Sequence, residues 1–122
     1  MSSGVSRDTL LVDTFTERDW DSAVLHSPLP VAVAFWAEWC VPCTIMAPAL
    51  EWASAHFRGR LKIGRLNADQ SPELSTRYKI VGLPTVLVME AGQEAERRVG
   101  LMDSSALVKL LARHVRKASQ SP

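Results

Sequence analysis

A chain of 122 residues is of single-domain length and can bury an ordinary core without crosslinks. Its composition, 47% hydrophobic and 22% charged, is that of a soluble globular protein, and a formal net charge of +1 offers no electrostatic basis for binding nucleic acid or a membrane surface. No segment approaches membrane-spanning length, and Met1 to Asp8 holds no apolar run of signal-peptide length, which together point to a cytoplasmic protein.

Residues 1–8 read as a flexible N-terminal tail, 9–117 as one folded domain and 118–122 as a flexible C-terminal tail. Thr9 to Val12 predicts a short first strand. Thr16, followed three residues later by Asp19, resembles a helix start, and Glu17 to His26 predicts a first helix burying Trp20, Val24 and Ala23. Ser27-Pro28-Leu29-Pro30 breaks it. Val31 to Phe35 is uncharged and rich in β-branched residues, so a buried strand is expected over 31–36. Thr44 to Phe57 has apolar residues at helical spacing, with Pro48 predicting a kink and Arg58-Gly59-Arg60 an end. Leu61 to Asn67 alternates as a strand does, and Asp69 to Pro72 opens a short helix reaching about Tyr78. Val86 to Met89 predicts a strand, Ala91-Gly92 a hairpin turn and Glu94 to Val99 its partner. Asp103 or Ser104 should cap a last helix whose apolar stripe is Ala106, Leu107, Leu110, Leu111 and Val115. The order β-α-β-α-β-α-β-β-α implies parallel pairing with helices on both faces, extended by an antiparallel hairpin: an α/β fold around a mixed five-stranded sheet.

Cys40 and Cys43, the only two cysteines, fall where the central strand hands over to the long helix. Residues three apart in a first helical turn lie roughly 5–6 Å apart, within reach of a disulfide. The ring so closed is small and adds little stability by loop closure, which suits a bond that is made and broken. Cys40 at the helix N-terminus would meet free N–H groups and the positive dipole end, favouring a thiolate, while Cys43, one turn in, is expected to be the more buried. Cys40 would then attack and Cys43 resolve. Pro42 suits a first turn. The competing readings are two inert thiols or half of a zinc site; the latter needs further ligands from His26, His56 and His114, none of which is paired with another at ligand spacing, and all three are expected at exposed or helix-terminal positions.

Phe35-Trp36-Ala37-Glu38-Trp39-Cys40-Val41-Pro42-Cys43 resembles the active-site segment of the thioredoxin family, usually Trp-Cys-Gly-Pro-Cys. The resemblance runs from about Thr9 to Arg116 and includes Leu66-Asn67-Ala68-Asp69, Gly82-Leu83-Pro84-Thr85, the Gly92 hairpin and Val99-Gly100. It implies the thioredoxin fold and a cis peptide before Pro84 that presents the Leu83 backbone to an extended substrate. An apolar rim of Trp39, Val41, Pro42, Leu83, Pro84 and Gly100, with Leu101 beside them, would surround the Cys40 sulfur, with Trp36 supporting the fold. It further implies a monomeric protein-disulfide reductase acting on client proteins, recycled by an NADPH-dependent thioredoxin reductase, with no bound cofactor or metal beyond the redox-active Cys40–Cys43 disulfide.

Four positions depart from the family pattern. Ala34 stands where the family usually buries an aspartate that manages the proton of the resolving thiol, and Arg65 where a lysine is usual, so resolution is expected to be slower and the fold more stable. Val41 replaces a glycine, and Thr44 a basic residue. These departures keep two alternatives in view, a more oxidising oxidase or isomerase and a thioredoxin-fold binding module without turnover. Trp52, off the main buried face of its helix, is expected to pack at the sheet edge.

Overall fold

The computed structural model describes residues 12–115. Both predicted tails, and all of the predicted first strand except Val12, lie outside this range. Five strands form one sheet in the order β1-β3-β2-β4-β5: β1 (Asp13–Phe15), β2 (Val31–Trp36), β3 (Lys62–Asn67), β4 (Thr85–Glu90) and β5 (Gln93–Val99). β3 pairs in parallel with both β1 and β2, whereas β4 runs antiparallel to β2 and to β5. The helices are α1 (Val41–His56), α2 (Pro72–Arg77) and α3 (Ser104–Ala112).

Strict alternation sorts the central strands onto two cores. Ala32 and Ala34 of β2, with Val86 and Val88 of β4, face α1 and α3, where Met46, Leu50, Ala53, Leu107, Leu110 and Leu111 cover them. Val31, Val33 and Phe35, with Leu87 and Met89, face the opposite way and pack on Trp20, Val24 and Leu74. Both faces of β2 are thus dry, which explains an unbroken apolar run in place of a polar–apolar alternation.

Two early elements differ from expectation. The first described strand is Asp13–Phe15, and Val12, the one described residue of the strand expected over Thr9 to Val12, stands just before it; as the edge of the sheet, β1 exposes Asp13 and Thr14 and buries only Phe15, so its sequence lacks an apolar signature. Where a regular helix was expected over Glu17 to His26, Asp21–Leu25 forms a π-helical turn, with the His26 N–H donating to the Asp21 carbonyl at 2.9 Å. Just upstream, the Thr16 hydroxyl and the Asp19 carboxylate each accept from the other's backbone N–H, at 3.2 and 2.8 Å, while the π-helical turn itself begins after Trp20 without a side-chain cap. α1 continues through Pro48, whose ring faces solvent, so the carbonyl deprived of its intrahelical donor belongs to the exposed face.

Long-range contacts finish the short elements. Ser71 gives α2 no side-chain cap; Glu17 instead accepts from the N–H groups of Glu73 and Leu74 at 2.7 and 3.2 Å. Asp103 caps α3 by accepting from Ala106 N–H at 2.8 Å. At the far end of α3 His114 takes the expected helix-terminal place; its side chain is 12% accessible and lies between Glu90 and Glu96, at 2.6 and 2.8 Å.

Gly64 of β3 sits directly under the Phe15 ring, which a Cβ there would overlap. Gly64→Ala should therefore lower stability by about 1–3 kcal/mol, read as a drop in urea midpoint with unchanged slope. The Glu96 carboxyl is held below its ordinary value, first by its hydrogen bond with His114 and then by Arg113, and that of Glu94 by its hydrogen bond with Arg97. A depressed carboxyl contributes stability that is complete above its unfolded pKa and lost as pH falls through the lowered value. Melting temperature should accordingly fall below about pH 4.5, and Glu96→Gln should make that fall shallower.

Candidate active site

The end of β2 delivers the chain to a short loop. Ala68 N–H donates to the Trp36 carbonyl at 2.7 Å, tying this point to the β3–α2 connection, and Cys40 N–H closes a turn on Ala37 at 3.1 Å. Cys40 has extended backbone angles (φ −92°, ψ 101°) and is the N-cap of α1; its Sγ accepts from the Cys43 N–H at 3.2 Å. A free N–H of the first helical turn therefore points at this sulfur, the arrangement that favours a thiolate there. Val41 and Pro42 occupy the first helical positions, where proline costs no hydrogen bond.

Cys40 and Cys43 form a disulfide with a Cα–Cα separation of 5.3 Å. The expected order of burial is reversed: Cys40 is 3% exposed and Cys43 8%. Ala37, Trp36 and Leu83 pack against the pair, and Cys43 also borders a cavity. Any difference in role between the sulfurs thus rests on position along the helix and not on burial.

The predicted rim divides. Trp39 and Val41 are open to solvent, 67% and 66% exposed, and Pro42 and Leu101 are exposed as well. Leu83 and Gly100 are half-buried, and Pro84 is buried. The Leu83–Pro84 peptide is cis, as the resemblance implies. Gly100 N–H donates to the Pro84 carbonyl at 2.8 Å, and Thr85 Oγ1 to the Gly82 carbonyl at 2.6 Å, so two loops are joined beside the disulfide. Gly100 has φ +110°, a conformation natural to glycine. Val81 and Val99, next in sequence to these two loops, are exposed as well.

Asp69 was missed too, as more than a matching residue. It accepts from the Trp39 indole N–H at 2.8 Å, across 30 residues of sequence, and thereby orients the most exposed part of the rim. Nothing in local spacing announces such a pair. The histidines stay away from the sulfurs: His26 contacts the Asp21 carbonyl, His56 stacks on Trp52 and His114 joins the two glutamates. Among the described residues no cluster of three or more His, Cys, Asp or Glu side chains could hold a metal ion. Trp52 lies in an open groove between α1 and α3, beside Val108 and Lys109, and not at the sheet edge.

Behind Cys43 lies a cavity of about 130 Å³ whose lining includes Ala34, Trp36, Thr44, Leu50, Arg65 and Pro84. Ala34 and Arg65 are direct neighbours across β2 and β3, and the Arg65 guanidinium lies over the Trp36 ring at 5.0 Å.

A five-stranded sheet that presents a disulfide-forming CxxC pair at the start of a helix, opposite a cis-proline loop, defines a thiol–disulfide oxidoreductase. The thioredoxin family model matches residues 11–113, and the chain belongs to the thioredoxin family. It is 37% identical over 99 residues to thioredoxin M5, chloroplastic, of Oryza sativa subsp. japonica, covering 81% of this chain but 58% of the rice protein. It is 32% identical over 105 residues to thioredoxin of Rickettsia bellii, covering 86% of this chain and 100% of that one. With thioredoxin 1 of Nostoc sp. the identity is 32% over 100 residues, covering 82% and 94%. The chain thus spans under two thirds of the plant relative and the whole of the Rickettsia one.

Ala34→Asp would set a carboxylate into this half-apolar cavity. Desolvation outweighs the gain from Arg65, so the urea midpoint should fall by an amount equivalent to about 1–3 kcal/mol; a midpoint that rises would contradict the stability assigned to Ala34.

Proposed function

We propose that the protein is a dithiol reductant of disulfides in client proteins, working as a monomer in the cytoplasm. The observation that carries this reading is the Cys43 N–H aimed at Cys40 Sγ, with the Cys40 position at the helix start beside an open apolar rim. The Cys40 thiolate attacks one sulfur of a client disulfide; that S–S bond breaks, its electron pair leaves on the other client sulfur, and a mixed disulfide forms. The Cys43 thiolate then attacks Cys40 Sγ, the client's second thiolate departs, and the Cys40–Cys43 bond closes. The client gains two electrons and the pair loses two.

Trp39, Val41, Pro42, Leu83, Pro84 and Gly100 form the docking surface. The backbone N–H and C=O of Leu83 carry no hydrogen bond to another described residue, leaving them open to an extended client segment added in the manner of a strand. An NADPH-dependent thioredoxin reductase returns the pair to the dithiol, as membership of the family suggests. No helix among the described residues is long and apolar enough to cross a membrane, and the relatives include both chloroplastic and bacterial proteins; a cytoplasmic site of action is part of the proposal.

Two readouts test it. Cys40→Ser should abolish reduction of a protein disulfide with dithiothreitol as electron source, whereas Cys43→Ser should accumulate a mixed disulfide visible on a non-reducing gel. Equilibration in redox buffers, read by thiol-trapping mass shift, should give a potential at or below about −250 mV. A value near −180 mV or above, roughly the range of isomerases, would favour the oxidising alternative. Absence of any reversible two-thiol change would leave the binding module.

A further inference from the structure

Resolution requires Cys43 to lose its proton, and the wall behind it holds no group able to take one. β2 contributes Ala34, Phe35 and Trp36 to the cavity, α1 contributes Thr44, Met46 and Leu50, and the cis-proline loop contributes Pro84. None of these ionises. The one charged side chain lining the cavity is Arg65, delivered by β3. In apolar surroundings a thiol holds its proton more tightly, and a nearby cation works in the opposite direction.

Arg65 is available for that task. Among the described residues its side chain makes no ion pair or hydrogen bond; its guanidinium rests over the face of Trp36 at 5.0 Å, and Trp36 itself packs against the cysteine pair. Every other arginine that forms an ion pair here does so with a glutamate on the surface, as Arg77, Arg97, Arg98 and Arg113 do. A guanidinium stays protonated at any pH the fold survives, so the cavity keeps a fixed positive charge. Its volume of about 130 Å³ exceeds what a water molecule needs, and Arg65 and Thr44 supply polar partners for one.

We infer that Arg65 is a positioning residue for the resolving step, its unpaired cation holding the Cys43 sulfur as the thiolate that attacks Cys40. The proton passes to water in the cavity and on to solvent. The thiolate then forms the Cys40–Cys43 bond, and the client leaves as a thiolate that takes its proton from solvent. Charge takes the place of a general base. This rests on the redox reading above and names the group within that site that governs its second half.

The test separates the two halves of the reaction. With 5,5′-dithiobis(2-nitrobenzoate) as the limiting oxidant of the reduced protein, the first thionitrobenzoate release reports attack by Cys40, and the second reports attack by Cys43 on the mixed disulfide. Followed by stopped flow across pH 6–9, Arg65→Met should slow the second release about tenfold at pH 7 and move its midpoint up by about one pH unit, with the first release unchanged. Arg65→Lys, which keeps the charge, should retain the parental midpoint. An unmoved midpoint in Arg65→Met, or a lysine variant displaced as far as the methionine one, overturns the inference. Loss of the first release in the parent protein would instead overturn the redox reading itself.

Discussion

Burial of β2 on both faces is the constraint on which the rest of the molecule depends. Flanked by β3 and β4, with one helical layer above and another below, this strand admits neither polar side chains nor a register slip, because a shift by one residue would exchange the two cores. Its last residue, Trp36, therefore emerges at a defined height at the rim of the sheet. The chain must next cross to β3 in parallel, and α1 makes that crossover. The cysteines sit at the start of the crossover, where helix N–H groups lack partners and a sulfur can use one.

Small residues on the α1 side of β2 have a second effect. Ala32 and Ala34 let α1 approach the sheet, but Ala34 is too short to fill the space beside Cys43, and the remainder is the cavity shared with Arg65. The same substitution that spares the core a buried carboxylate leaves the inner cysteine beside a cation and space for solvent. Stability and chemistry meet at one methyl group.

Much of this was legible in the sequence, and the pattern of success has a physical basis. β2, the Ala91-Gly92 turn and the Asp103 cap were readable because each is encoded by neighbours: an uncharged β-branched run, a pair with φ of +52° and +80°, a side chain three residues from its N–H. The cis peptide came from family resemblance, not from local chemistry. What escaped notice is non-local. β1 is hidden because its edge position buries one side chain in three. The Trp39–Asp69 and His114–Glu96 contacts join residues 30 and 18 positions apart, and Leu83, which packs on the cysteines, comes from a distant loop. The π-helical form of Asp21–Leu25 has no sequence signal that we can name.

Glu17 carries a consequence for how the molecule assembles. α2 has six residues, too few to persist alone in water, and its first N–H groups are satisfied by a carboxylate 56 and 57 positions earlier in the chain. Closing so long a loop costs chain entropy before any contact repays it, so α2 belongs to the slow, topology-limited part of folding. The connection that leads into α2 bears Asp69, the anchor of Trp39. Order at the rim of the redox site is thereby coupled to completion of the whole domain, and a nascent chain that has emerged only through α1 would carry its cysteines without the surface that directs them.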